Sequence, residues 1–219
     1  MLWQINFFST VMDKSEFKQT IYTEIADMVK AMANPHRLEI IDLLANGEKT
    51  VEQIATETRI SIANASQHLQ NLKKARLVKI RRLKNYRLYS LTNIYVYAIW
   101  KTLREFARLQ IPEIDKIVDD YRRVNNATVV SLNELEKYKP YLLVDVRPNE
   151  EFENGHFDEA INIPVSQLIS NLNQLPKDKY IITYCRGPFC TFADQALEIL
   201  INSGFKAARL EEALVDVTR

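Results

Sequence analysis

Cysteine is almost missing from this 219-residue chain, with Cys185 and Cys190 the two present and none before them. That rules out a disulfide framework. Met1–Met12 is uncharged and fairly apolar, but it has neither a basic start nor a small-residue cleavage site, and it is too short to span a bilayer. With no export signal read there, the chain is expected in the cytoplasm with both thiols reduced, and in that compartment a close pair more often means chemistry than a staple. Histidine is scarce too. His36, His68 and His156 are not grouped with cysteines or carboxylates at ligand spacing, so neither a metal site nor any other cofactor is expected. The other uncharged run, Leu88–Trp100, contains several polar residues and reads as part of a buried helix, so no membrane association is expected.

Acidic residues are absent between Glu57 and Glu105. The net charge of +1 hides this gap, because residues 1–124 carry a net +6 and residues 125–219 a net −5. Lys73, Lys74, Arg76, Lys79, Arg81, Arg82, Lys84 and Arg87 all fall inside the gap. A solvated basic face would account for the charge alone, whereas a polyanion partner would account for its concentration. The neighbouring elements favour the second reading.

Helical spacing of Phe17, Ile21, Ile25, Met28 and Val29 predicts a helix from about Asp13 to Ala33. Asn34 caps the next helix with Pro35 in its first turn, and that helix stops at Asn46-Gly47. Thr50 and Gln53 form a capping box for Val51–Thr58, and Ser61 caps Ile62–Ala75. On this last helix Ile62, Ala65, Leu69 and Leu72 make an apolar stripe. Ala63, Asn64, Ser66, Gln67, His68, Gln70 and Asn71 fill most of the remaining surface. Amides and hydroxyls suit base edges in a major groove. Alternation through Val78–Arg81 and Tyr86–Leu91, around a turn at Lys84-Asn85, predicts a basic β-hairpin suited to phosphate contact.

Ala33–Ile41, Val51–Ala55, Ser61–Leu72 and Ala75–Val78 together resemble the ArsR family of winged-helix repressors over about residues 20–105. The resemblance implies a homodimer on double-stranded operator DNA. Its DNA contacts would be Ser61, Ala63, Asn64, Ser66, Gln67, His68, Asn71 and Lys73 on the recognition helix, and Lys79, Arg81, Arg82, Lys84 and Arg87 on the wing. It also implies dimerisation through the first helix and a long helix from about Asn93 to Leu109, capped by Thr92 and rich in large apolar residues. Many metal-sensing members place paired cysteines near the first helix of the DNA-binding motif, where this chain has Thr50–Ile54.

Pro112 interrupts the long helix, and Glu113–Arg123 reads as a charged connector ending near Asn125-Asn126. The expected organisation is a winged helix-turn-helix domain at 1–110, a helical linker at 111–126 and a small parallel-sheet α/β domain at 127–219. The last rests on short strands at Val129-Val130, Leu142–Val144 and Tyr180–Tyr184, with a Ser131-capped helix between the first two. The third strand runs into Cys185-Arg186-Gly187-Pro188-Phe189-Cys190 and then a helix, Thr191–Ser203. A cysteine at that junction faces convergent N–H groups and the positive end of a helix, which favour a thiolate or persulfide anion; Arg186 adds a cation and Gly187 the freedom a tight loop needs. The alternative is a buried, inert Cys185 beside an incidental Cys190.

Leu143–Phe152, Gly155–Phe157, Ala160–Pro164 and Tyr184-Cys185 resemble the rhodanese family over about residues 127–212. This implies that Cys185 takes sulfane sulfur from a small donor, within a loop formed by Arg186, Gly187, Pro188, Phe189, Cys190 and Thr191. Asp145, Arg147 and His156 would give structural support through charged hydrogen bonds. Active loops of that family commonly end in Arg, and this one ends in Cys190; the usual Gly-Gly turn and Trp-containing helix are absent after Arg209. A second thiol suits self-capture, giving a disulfide or sulfur-bridged pair. The expected function is therefore a repressor that senses reactive sulfur or an oxidant through Cys185 and Cys190. The alternatives are a DNA-tethered sulfurtransferase and a thiol-based arsenic(III) sensor.

Overall fold

In the computed structural model, which describes residues 13–124 and 127–217, the first half is built from capped helices. Met1–Met12 and the connector's end at Asn125-Asn126 lie outside the described residues. Helix α1 spans Lys14–Met32 and α2 Pro35–Leu44, with the Asn34 side chain accepting from the Arg37 N–H at 3.2 Å. Helix α3, Val51–Glu57, begins with the reciprocal Thr50–Gln53 capping box, and α4, Ile62–Lys74, with Ser61 accepting from Asn64 N–H. These caps satisfy N–H groups that a helix start leaves without partners. Strands β1, Val78–Leu83, and β2, Tyr86–Leu91, form the antiparallel wing. Ile40, Ile41, Ile54, Leu69 and Leu72 are fully buried in the core beneath them.

Three expectations change here. Ile62 is not part of the α4 stripe: it is 53% exposed at the helix start, while Ala65, Leu69 and Leu72 are buried. The run Leu88–Trp100 is not one helix but the end of β2 followed by the first turns of α5, Ile94–Gln110. Asn93 rather than Thr92 caps α5, its side chain accepting from Tyr95 N–H at 2.9 Å. The Thr92 hydroxyl instead donates to the Arg76 and Leu77 carbonyls, tying the wing's end to the turn after α4.

Helix α6, Pro112–Val124, leads into a five-stranded, wholly parallel sheet in the order β3-β7-β6-β4-β5. Its strands are β3 Val129–Val130, β4 Tyr141–Asp145, β5 Ile161–Asn162, β6 Tyr180–Tyr184 and β7 Ala207–Leu210. Helices α7 Asn149–Glu153, α8 Leu168–Asn171, α9 Phe192–Asn202 and α10 Leu214–Val217 accompany it. The segment after Ser131 is a 3-10 helix, Leu132–Tyr138. Strand periodicity sorts β6 between two cores, with Ile182 and Tyr184 packing on one face and Ile181 on the other. The same parity carries Cys185 to the α9 face.

The two halves are docked through a mixed interface. Ala45 and Tyr97 pack with Ala213 and Val215 in a small apolar cluster. Gly47 comes so close to the second domain that a Cβ there would meet Asn154 Nδ2 at 2.4 Å. Asp216 on α10 accepts from the Tyr97 hydroxyl at 2.7 Å and from Arg104 at 2.8 Å. Among the described residues, no helix is long and apolar enough to cross a membrane.

Candidate functional site

On the nucleic-acid-reading side, Ser61, Ala63, Asn64, Gln67 and Lys73 are exposed along α4, with Ser66, His68 and Asn71 half-buried. Gln67 donates to Asn71 at 3.4 Å, so these amides are already aligned along one ridge. His68 has a second role in packing. Its ring centroid lies 5.5 Å from that of His36, and burial, with the charges of His36 and Arg37, lowers its pKa. Lys79, Arg82, Lys84 and Arg87 project from the wing into solvent. Arg81 is exposed but engaged, its Nε donating to Glu48 at 3.0 Å.

The thiol loop lies at the C-terminal end of β6 in a parallel sheet, between a strand end and the start of α9. Cys185 through Pro188 are buried; Phe189, 40% exposed, and half-buried Cys190 form the loop's solvent side. The Cys185 Sγ lies 3.5 Å from the Cys190 carbonyl oxygen. Burial pushes the Cys185 thiol up, but it is outweighed by a hydrogen bond from Cys190, the Arg209 guanidinium and the N–H groups of Ala193 and Gly187, which bring it down to about 7. Cys190 is pushed well above its ordinary value by that same hydrogen bond, by burial and by the Cys185 charge. The pair thus divides into a readily ionised thiol at 185 and a proton-bearing thiol at 190. This is the arrangement expected of a nucleophile with a second thiol waiting beside it.

The loop's shape is held by two arginines that sequence reasoning missed. Arg209, fully buried on β7, donates to the carbonyls of Gly187 at 3.0 Å and Cys190 at 3.3 Å, and pairs with Asp194 at 2.7 Å. Arg122 on α6 donates to the Pro188 carbonyl at 2.8 Å and pairs with Glu211 at 2.8 Å. One signal was available for Arg209: an arginine inside an otherwise apolar strand that is paired on both edges has to be buried with partners. Gly187, at φ +119, permits the loop's turn, and Ala213 sits where its Cβ would crowd at 3.3 Å.

Arg186 acts on Cys190 through its charge and a backbone hydrogen bond, both of which lower that thiol against the larger causes that raise it. Its guanidinium stacks near the Phe192 ring and pairs with Glu151 of α7 and Glu57 at the end of α3, both at 2.5 Å. Lys49 closes the figure, pairing with Glu151 at 2.6 Å and Glu57 at 3.1 Å. The result is a ring of alternating charge, two members from each half of the chain. Burial raises the Glu151 carboxyl, yet Arg186 and Lys49 together hold it below its ordinary value. Asp145 and Arg147 form a neighbouring buried pair at 2.6 Å, and Arg147 also donates to Asn46 at 3.2 Å. His156 joins this region without charged hydrogen bonds: its ring stacks on Phe152 at 3.8 Å, and its Nδ1 lies 2.9 Å from the Phe152 carbonyl. Among the described residues, no group of three or more His, Cys, Asp or Glu side chains could hold a metal ion.

A winged helix-turn-helix with a basic face, joined to a parallel sheet with a cysteine loop at a strand end, defines a DNA-binding transcriptional regulator carrying a rhodanese-like domain. Residues 34–79 match the family model for bacterial regulatory proteins of the arsR family, and residues 128–217 match the rhodanese-like domain. The HTH-type transcriptional regulator Rv0324 of Mycobacterium tuberculosis is 33% identical over 205 residues, covering 93% of this chain and 91% of that one, and the present chain belongs to its family. The arsenical resistance operon repressor of Staphylococcus xylosus is 31% identical over 75 residues, 34% of this chain and 72% of that protein. Among solved structures, the homodimeric winged helix-turn-helix DNA-binding domain of a possible ArsR-family regulator from Mycobacterium bovis is 35% identical, covering 45% of this chain and 92% of that one with a TM-score of 0.43.

Proposed function

We propose that this regulator is a homodimeric repressor whose affinity for operator DNA falls when reactive sulfur or an oxidant modifies Cys185 and Cys190. The observation that carries this reading is the divided thiol pair, a depressed Cys185 beside a proton-bearing Cys190, in a loop held by Arg122 of the linker and Glu57 of the DNA-binding half. With thiosulfate as the donor, the Cys185 thiolate attacks the outer sulfur, the S–S bond of thiosulfate breaks and sulfite leaves with its electron pair. Cys185 then carries a persulfide anion. Attack by Cys190 on the Cys185 Sγ forms the Cys185–Cys190 disulfide and breaks the persulfide S–S bond, and the outer sulfur leaves with the electron pair and the Cys190 proton as hydrosulfide. The second step ends a cycle that a sulfurtransferase would need to keep open, which favours a sensor over the enzyme reading.

The homodimer reading is supported by apolar side chains that the chain leaves uncovered on two helices. Phe17, Ile21 and Ile25 on α1 are 55%, 43% and 54% exposed, and Ile99, Leu103 and Phe106 on α5 are 49%, 44% and 57% exposed. Faces of this size are expected to be covered by a second copy. Operator contact is assigned to the exposed polar residues of α4 and the basic wing.

The test is operator affinity at fixed salt, before and after exposure to polysulfide, with mass spectrometry of the Cys185–Cys190 peptide on the same samples. A marked loss of affinity upon modification is expected, removed by Cys185→Ser. Unchanged affinity with Cys185 fully modified overturns the reading. Sustained thiosulfate turnover that survives Cys190→Ser would favour the enzyme.

A further inference from the structure

We infer that the charge ring of Lys49, Glu57, Arg186 and Glu151 is the coupling element between the thiol loop and the DNA-reading motif, and that Arg186 is the member through which the loop acts. This rests on the sensing reading above and names its route. The ring grips α3 at both ends: Glu57 is its last residue, and Lys49 immediately precedes the Thr50 cap. Lys49 also reaches the wing through its backbone, its N–H donating to the Tyr89 carbonyl at 3.0 Å and its carbonyl accepting from the Tyr89 N–H at 2.8 Å. From the other side, Glu151 holds Lys49 and Arg186 holds Glu57. The first helix of the helix-turn-helix and the inner strand of the wing are thus clamped from the rhodanese-like domain.

Arg186 is adjacent in the chain to the reacting cysteine, and the loop around it has little slack. Residues 185 to 188 are buried, the carbonyls of Gly187, Pro188 and Cys190 are each held by an arginine, and Gly187 faces Ala213. Protein interiors are packed without spare volume for an added atom. A persulfide sulfur extends Cys185 by a bond of about 2 Å, and a disulfide draws positions 185 and 190 together. Either change has to displace the backbone that carries Arg186. Its guanidinium is bidentate to Glu151 and reaches Glu57 through one further contact of the same Nη2, so it cannot follow the loop and keep both, because bidentate pairing tolerates little misalignment. Glu57 is then left with Lys49 alone, and α3 loses its restraint at one end.

The experiment uses the full-length protein and measures operator affinity by fluorescence anisotropy at fixed salt, before and after polysulfide treatment, in the wild type and in Glu57→Gln. Coupling energies of the ordinary size correspond to a loss of about tenfold in the wild type. In Glu57→Gln the two affinities are expected to agree within about twofold, although Cys185 is modified to the same extent. A wild-type-sized loss in Glu57→Gln, with equal modification, overturns the inference and leaves the sensing reading standing. No loss in the wild type overturns both. Amide hydrogen exchange in the wild type gives a second readout that needs no variant. Modification is expected to speed exchange in Val51–Glu57 and around Tyr89. A response confined to α6, with α3 and the wing unchanged, overturns the route through the ring.

Discussion

At the scale of single residues, the thiol pair makes the sharpest claim. A thiolate is the reactive form, so the alkylation rate of Cys185 by iodoacetamide should rise with pH and reach half its maximum near 7, where an ordinary cysteine does so near about 8.5. The cause can be separated by substitution. Cys190→Ala removes the donated hydrogen bond and should move the half-maximum upward, whereas Cys190→Ser keeps a donor and should move it less. Arg209→Met should also raise it, since burial then acts on Cys185 with its principal cation gone. A profile that stays near 7 in both Cys190→Ala and Arg209→Met would mean that the loop's N–H groups alone set the thiol's character.

Individual elements divide between what was legible in the sequence and what was not. Asn34, Thr50 and Ser61 announced three helix starts correctly because a cap is a local bargain between a side chain and an N–H three residues on. Thr92 was misread for the opposite reason: Thr92 and Asn93 are both capable caps, and the choice was made by Arg76 and Leu77, sixteen and fifteen residues away. The cysteine junction was legible from the strand-to-helix pattern. Its surroundings were not, because Arg122 and Glu57 reach the loop across 66 and 129 positions of sequence and Lys49 reaches Glu151 across 102, and no periodicity reports such partners. On the DNA-reading elements, Lys79→Ala and Arg87→Ala should each reduce the slope of log affinity against log salt by about 1 if both contact phosphate. Arg81→Ala should reduce it less, since Glu48 already neutralises that charge. Equal slopes for all three variants would contradict this ranking. For the helix itself, Leu69→Ala should cost about 2–5 kcal/mol in urea unfolding, as Leu69 is fully buried on the core face of α4.

Across the whole molecule, docking of the two halves depends on buried charges as much as on apolar area. Arg104, 5% exposed, stands between Asp216 at 2.8 Å and Asp42 at 3.7 Å, and Asp42 is raised above its ordinary value by burial. Arg104→Met removes the cation and leaves both carboxylates without it, which should cost about 3–5 kcal/mol in urea unfolding. Adding Asp216→Asn should recover part of that loss, and a variant no less stable than the wild type would show that the pair does not hold the halves together. Glu151 gives docking a pH limit. Its folded-state pKa is depressed, so its contribution is present above the ordinary carboxylate value of about 4.3 and is lost as pH falls below it.

The enclosure of the four-charge ring has a further consequence, which concerns ionic strength. Lys49, Glu151 and Arg186 are 5%, 2% and 9% exposed and Glu57 19%, and the ring sums to zero formal charge. Dissolved ions screen exposed charges at DNA strongly and such enclosed pairs weakly. Salt therefore distinguishes release from signalling. Raising it should lift the protein from its operator while α3 stays clamped, so a protein dissociated by salt and one dissociated by sulfur would be different conformations of the same chain.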